Sequence, residues 1–278
     1  MDLIQTIIIA IVEGLTEFLP VSSTGHMIIT QHLLGVEQGN PFVHAFTFII
    51  QFGAILSVVC LYWKKFFSFK PEMWKLYGLL IIGVLPAVVV GLAAKKSGLL
   101  DWLLDSIWVV AITLVVGGIF MLFCDNLFNK GKEEINKGKE ENEITPKRAF
   151  LIGLFQCLSV IPGMSRSMST IVGGMANKLT RQKAAEFSFF LAVPTMAGAT
   201  ILDVYDMMKG DVNWATSDNL FLLGVGCLVS FVVAIFAMKW FVSFLTKYGF
   251  KAFGWYRIIV GVILLAMLLS GVSLNMVD

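Results

Sequence analysis

The segment "EGLTEFLPVSSTGH", Glu13 to His26, concentrates ionisable and hydroxyl chemistry between two apolar runs. Glu13 and Glu17 are four apart, so they share one helix face, where like charges repel. In an apolar arm such a pair needs a cation, an arginine or a shared proton. The pair suits a hard divalent ion, Mg2+ or Ca2+, or one general base beside one orienting carboxylate. The bland alternative is two wetted interfacial glutamates. Ser22 or Ser23 stands where a second helical arm begins and is a good N-cap. The free N–H groups and positive dipole end of that arm make a phosphate seat, with Thr24 beside it. Gly25 allows close backbone approach. His26 follows Ser23 by three residues, about one turn, which suits a proton relay or a nucleophile. Taken alone, each of these is as readily a cap or a satisfied buried histidine.

A second constellation, "PGMSRSMST", covers residues 162–170. Pro162 and Gly163 make a turn, and Ser165, Ser167, Ser169 and Thr170 offer hydroxyls. Arg166 is the one guanidinium in either loop, and its planar fork suits a pair of phosphate oxygens. A buried arginine needs an anion. That anion is a bound phosphate or, on the structural reading, Glu13 or Glu17. Gln156 occupies the Glu13 position of a repeated pattern, since "EGLTEFLPVSS" resembles "QCLSVIPGMS" with one gap. One half thus carries carboxylates and histidine, the other arginine.

The elements that must hold these groups are membrane helices. Of 278 residues, 57% are hydrophobic and 14% charged, and the mean hydropathy is +0.82. A soluble domain carries about a quarter charged residues. A net charge of +2 gives no reason to expect nucleic acid. The N-terminus lacks the basic region of a cleaved signal peptide. Six apolar runs reach the length that spans a bilayer, about 20 residues: 44–63, 77–94, 106–124, 187–203, 219–238 and 254–272. Regions 3–34 and 149–177 are each broken by a Pro- and Ser-containing kink. The arm from Ser22 to Leu34 covers less than about 20 Å, too short for a roughly 30 Å core. Each region therefore reads as a re-entrant hairpin, and irregular backbone at that depth must face protein or a wet cavity.

The expected fold is an all-α polytopic membrane protein with an inverted-topology repeat. Each half has one re-entrant hairpin and three transmembrane helices: 1–128, then a charged cytoplasmic linker 129–148, then 149–278. Three spans per half invert the second copy. Segments 64–75, 129–148, 178–183 and 239–251 are rich in Lys and Arg, which places them in the cytoplasm. Lys95 and Lys96 are the exception, near Asp101 and Asp105. Inverted repeats whose broken helices meet near midplane occur in many transporters.

The remaining groups carry less. Cys60, Cys124, Cys157 and Cys227 read as small buried hydrophobes. His32 and His44 read as solvated. Arg257, near the start of its span, can snorkel. Trp63, Trp102, Trp108, Trp240 and Tyr256 fit interfacial belts. Some of the 13 methionines and 23 phenylalanines could line a groove for an isoprenoid tail.

"EGLTEFLPVSSTGH" together with "PGMSRSMST" resembles the undecaprenyl-diphosphate phosphatases, the bacitracin-resistance family of bacterial membranes, across the whole chain. The resemblance implies hydrolysis of undecaprenyl diphosphate to undecaprenyl phosphate and inorganic phosphate, which recycles the lipid carrier for peptidoglycan. It implies a divalent cation, a site opening toward the outer face of the inner membrane, bacitracin competing for the lipid substrate, and a homodimer as a candidate assembly. By motif position, Glu13 and Glu17 match the acidic pair. Ser22, Ser23, Thr24 and His26 match the Ser-Ser-Thr-Gly-His segment, and Ser165, Arg166 and Thr170 the arginine–serine motif. Ser23 is the favoured nucleophile, with His26 as acid/base and Glu17 activating or orienting; His26 or water as the attacking group stays open. A second lipid-phosphatase superfamily needs a histidine where Val172 stands, and a different order of parts. A transporter or flippase for an anionic polyprenyl lipid is the competing class. A channel fits poorly, because the polar groups sit in two loops.

Overall fold

The computed structural model describes residues 1–37, 39–104, 106–128, 143–209 and 214–272. The chain is an all-α polytopic membrane protein, with no strand among the described residues. Six helices are long and apolar enough to cross a bilayer: α3 (Pro41–Leu61), α5 (Pro71–Lys96), α7 (Ile107–Leu127), α10 (Arg181–Lys209), α11 (Ser217–Tyr248) and α12 (Lys251–Leu269). Each of the six apolar runs falls on one of them. α10 begins before its run and α11 continues beyond its own, because hydropathy fades where buried side chains such as Ala184, Phe241 and Leu245 still hold the helix to the core. Two short helices, α4 (Trp63–Phe66) and α6 (Leu99–Leu104), were not legible as separate elements.

Around each kink stand two shorter helices. α1 (Leu3–Thr16) and α2 (Ser23–Leu33) flank the first; α8 (Pro146–Gln156), with a 3-10 turn at Cys157–Val160, and α9 (Arg166–Ala176) flank the second. At 1.5 Å per residue, the 11 residues of α2 or α9 reach only about 16 Å. A capping box starts α1, in which Asp2 accepts from the Gln5 amide and Gln5 accepts from the Asp2 amide.

Packing ties the halves together. α1 lies on α11 and α8 on α5, so each first arm packs against a span from the other half of the chain; α3 meets α10, and α7 meets α12. The main core runs from Phe18 through Ala54, Ile171 and Phe189 to Phe241.

Two expectations need correction. Cys60 is exposed rather than buried, because it lies on the outer face of α3. His32 and His44 are half-buried, and His44 packs 4.7 Å from the Phe48 ring. Lys95 also pairs with Asp206 at 2.7 Å, since α5 and α10 end side by side; the Asp101 side chain, Asp105 and linker residues 129–142 fall outside what the structure describes.

Candidate active site

The two breaks meet. α1 stops at Thr16, with Glu17 as its C-cap, and Ser22 caps α2 with its hydroxyl toward the Gly25 amide at 3.5 Å. Ser165 caps α9 in the same way, toward the Met168 amide at 3.4 Å. Both cap serines hold positive φ, 70° for Ser22 and 73° for Ser165. Non-glycine residues avoid this region, at a cost of about 1–3 kcal/mol each, and it persists where the surroundings over-determine it.

These caps make Ser23 and Arg166 the first residues of their helices, and Glu17 joins them. Its Oε2 accepts the Ser23 hydroxyl at 2.7 Å, and its Oε1 accepts Arg166 Nη2 at 2.8 Å. Both members of the ion pair are nearly enclosed, 8% exposed for Glu17 and 10% for Arg166. Arg166 also donates Nη1 to the Ser188 carbonyl at 3.2 Å and lies over the Phe18 ring. Its Nε is buried with no acceptor among the described residues. Ser167 donates to the Leu19 carbonyl at 2.7 Å, a second tie between the loops.

A cavity of about 230 Å3 opens at this junction, lined by Glu17, Ser22, Ser23 and Thr24 from the first loop and Pro162, Gly163, Ser165 and Arg166 from the second. Phe48 and Gln51 of α3, Thr195, Met196 and Ala199 of α10, and Ser159 and Ile161 ahead of the second break complete it. The first-turn N–H groups of both helices have no intrahelical acceptors, so two positive dipole ends border one space. A recess of about 70 Å3 shares Ser23, Thr24, Phe48 and Gln51 with it and reaches Glu13. Glu13 is fully buried, and neither carboxylate oxygen has a donor among the described residues.

Glu13 and Glu17 are thus two close carboxylates, one of them orphaned. A lone pair of carboxylates fits a hard cation that takes its other ligands from water and phosphate. The described residues contain no cluster of three or more His, Cys, Asp or Glu that could form an all-protein cage.

The other sequence-derived candidates stand apart. His26 lines neither cavity. Its Nδ1 donates to the Ser22 carbonyl at 2.7 Å, which can only accept, and its Nε2 meets the Tyr256 hydroxyl at 2.7 Å. Gly25 packs toward α7, where a Cβ would sit 3.0 Å from Leu114 Cδ1. Thr170 is fully buried and bonds the Ser188 hydroxyl at 2.6 Å, joining α9 to α10. Gln156 is buried and donates to Thr195 Oγ1 at 3.2 Å.

Arg257 is the residue that sequence reasoning misplaced. It does not snorkel: it is fully buried, about 9 Å along α12 from Lys251. Its guanidinium donates to five backbone carbonyls: Gly163 at 2.8 Å, Thr113 at 3.0 Å, Met164 at 3.2 Å, Pro20 at 3.3 Å and Leu114 at 3.4 Å. One side chain of α12 therefore bonds both loops. Gly117 makes room for it, since a Cβ there would lie 2.5 Å from Nη2. Thr113 adds a bond to the Pro162 carbonyl at 2.6 Å. Gly163, at φ +82°, turns against α7 where a Cβ would overlap Thr113 Oγ1 and the Val110 carbonyl. The available signal was a charge inside an apolar span, which by default marks function. Tyr256, read as a belt residue, is half of the His26 contact.

The amino-acid sequence that builds these loops matches a known family along almost the full chain. A sequence model described as "Bacitracin resistance protein BacA" matches residues 6–263. The chain belongs to this family. Curated BacA-like relatives carry the name undecaprenyl-diphosphatase. One from Porphyromonas gingivalis is 52% identical over 99% of each chain. One from Flavobacterium psychrophilum is 51% identical over 95% of each, and one from Bdellovibrio bacteriovorus is 43% identical over the whole of both. Both polar loops lie inside the region that the BacA model matches.

Proposed function

We propose that this BacA-family chain is an integral membrane phosphatase that hydrolyses undecaprenyl diphosphate to undecaprenyl phosphate and inorganic phosphate. The observation that carries the proposal is Glu17, bonded at once to the Ser23 hydroxyl and to Arg166, at a cavity bordered by two helix N-termini. The family and the relatives' names supply the substrate class; the geometry supplies roles.

The diphosphate sits between the N-terminal ends of α2 and α9, where the amides and Arg166 offset its charge. The polyprenyl chain leaves past Phe48 and Met196 toward lipid. Glu17 Oε2, at 2.7 Å, is placed to take the Ser23 proton. Ser23 Oγ forms a bond to the terminal phosphorus as the bridging P–O bond breaks, and undecaprenyl phosphate departs. Water then cleaves the phosphoserine, with Glu17 returning the proton to Ser23. Glu13 and Glu17 would hold a divalent cation such as Mg2+ or Ca2+, which when bound supplies charge neutralisation at the phosphate oxygens. His26 acts through α2: its bonds to Ser22 and Tyr256 fix the helix start rather than reach the reacting atoms.

The site opens toward the outer face of the bacterial inner membrane, where bacitracin competes for the same lipid. Phe48 lies about 10 Å from the N-terminal end of α3, and Ala199 about 15 Å from the C-terminal end of α10. Those ends border segments 31–43 and 203–218, which are poor in Lys and Arg and which the charge rule therefore puts outside.

The test is phosphate release from undecaprenyl diphosphate by the purified full chain in detergent with Mg2+ or Ca2+. Release that is lost in Arg166→Ala supports the reading. No release under either cation overturns it.

A further inference from the structure

A larger cavity, about 540 Å3, lies at the other end of α3 and α10 and takes no part in the chemistry above. Glu186 on its wall and Thr195 in the active-site cavity are about 14 Å apart along α10. Its volume falls within the range of small-molecule sites, roughly 300–1,000 Å3. Five lysines line it: Lys64 and Lys65 of α4, Lys70 and Lys75 around the start of α5, and Lys183 of α10. Three glutamates answer them. Two are committed, Glu186 to Lys65 at 3.2 Å and Glu143 to Lys75. Lys64, Lys70 and Lys183 form no ion pair among the described residues; Glu143, already paired with Lys75, also feels Lys183, and Glu72 is the remaining carboxylate on the described wall.

Below the lysines the wall turns apolar. Met73, Leu79, Phe187 and Phe190 are buried side chains that line the same cavity. Beside the mouth, Trp63, Phe67, Phe69 and Trp74 are exposed, as aromatic residues are at the level of lipid headgroups. The lysine-rich segments here are those that the charge rule assigns to the cytoplasm, the leaflet rich in anionic lipid.

From this arrangement we propose that the cavity is a binding site for an anionic glycerophospholipid. The phosphodiester sits among Lys64, Lys70 and Lys183, and the glycerol and first acyl carbons lie on Phe187, Phe190 and Leu79. A soluble anion would use the lysines but leave the apolar floor uncovered. A zwitterionic lipid would cover the floor but bring its own cation to a basic rim. The site is independent of the hydrolytic reading.

The test uses the full chain in dodecyl maltoside, with bound lipid counted by native mass spectrometry. Phosphatidylglycerol is compared with phosphatidylcholine of the same acyl chains. The expected result is at least about tenfold tighter binding of phosphatidylglycerol. Lys64→Gln, Lys70→Gln and Lys183→Gln together abolish that preference while phosphate release stays at the wild-type rate. The corresponding three arginine substitutions keep it. Arg166→Gln, in the other cavity, leaves it unchanged, and excess inorganic phosphate does not displace the lipid. Equal binding of the two lipids by the wild-type chain, a preference that survives the glutamine triple, one lost in Arg166→Gln, or displacement by inorganic phosphate would each overturn the proposal.

Discussion

Replacing Arg257 by methionine removes the α12 side chain that bonds carbonyls of both loops and leaves, among the described residues, only the Glu17–Arg166 and Ser167–Leu19 bonds between them. Thr113 and Leu114 are helical, so their carbonyls keep backbone partners. The Pro20, Gly163 and Met164 carbonyls belong to loops and accept from no other group among the described residues. Each orphaned carbonyl costs about 1–3 kcal/mol. Release from burying a guanidinium offsets part of that sum. The net loss should fall near the low end, about 3 kcal/mol in all. The larger effect is on geometry. Unpinned loops let Ser23 and Arg166 drift apart, and a displacement of about 1 Å costs on the order of 100-fold in rate. Arg257→Lys keeps the charge, but its donors radiate from one nitrogen, so it can serve one loop and not both. We expect Arg257→Lys to regain about half of the stability and little of the rate. Thermal unfolding and kcat for phosphate release in detergent, on wild type and both variants, measure the two quantities separately. If Arg257→Met kept kcat within about threefold of wild type, the clasp would not be what aligns the loops.

Three further outcomes follow from the same contacts. Ser23→Ala should yield no phosphoserine when the reaction is quenched with terminally labelled substrate, whereas wild type yields it on the peptide holding Ser23; turnover by Ser23→Ala at the wild-type rate would mean that water attacks directly. Glu13→Gln should keep the fold but weaken the divalent-cation dependence of phosphate release by at least about tenfold in apparent affinity, because a neutral amide holds a hard ion poorly; unchanged cation dependence would remove Glu13 from the ion's site. Tyr256→Phe should lower kcat only a few-fold, because the His26–Ser22 bond remains, and a loss near that of Arg166→Ala would give His26 a direct chemical role.

Much of the architecture was legible because membranes constrain sequence so tightly. Six runs of about 20 apolar residues have few other readings. The two loops stood out because serines, prolines and ionisable groups at membrane depth need a protein reason. Glu17, Ser23 and Arg166 could be named for that reason, and the structure brings these three together. Their connection was less legible: nothing in the spacing says that one carboxylate meets the first residues of two helices far apart in sequence. The direction of His26 was hidden as well, because its partner Tyr256 lies on the last span. Arg257 was seen and discounted. Helical rise places it about one and a half turns inside α12, but only the packing of α12 on α7 shows that it faces the loops instead of lipid. The exposure of Cys60 was unreadable for a related reason, since hydropathy does not separate lipid-facing from core-facing positions.

The account rests on Glu17 acting as one unit with Arg166 across the two loops. A double-mutant cycle on phosphate release by the full chain, with Glu17→Gln, Arg166→Gln and both together, tests this most directly. The account predicts that each single change lowers kcat by about 100-fold or more and that the double variant is scarcely slower than the worse single. Losses that multiply, as for two independent groups, would contradict it.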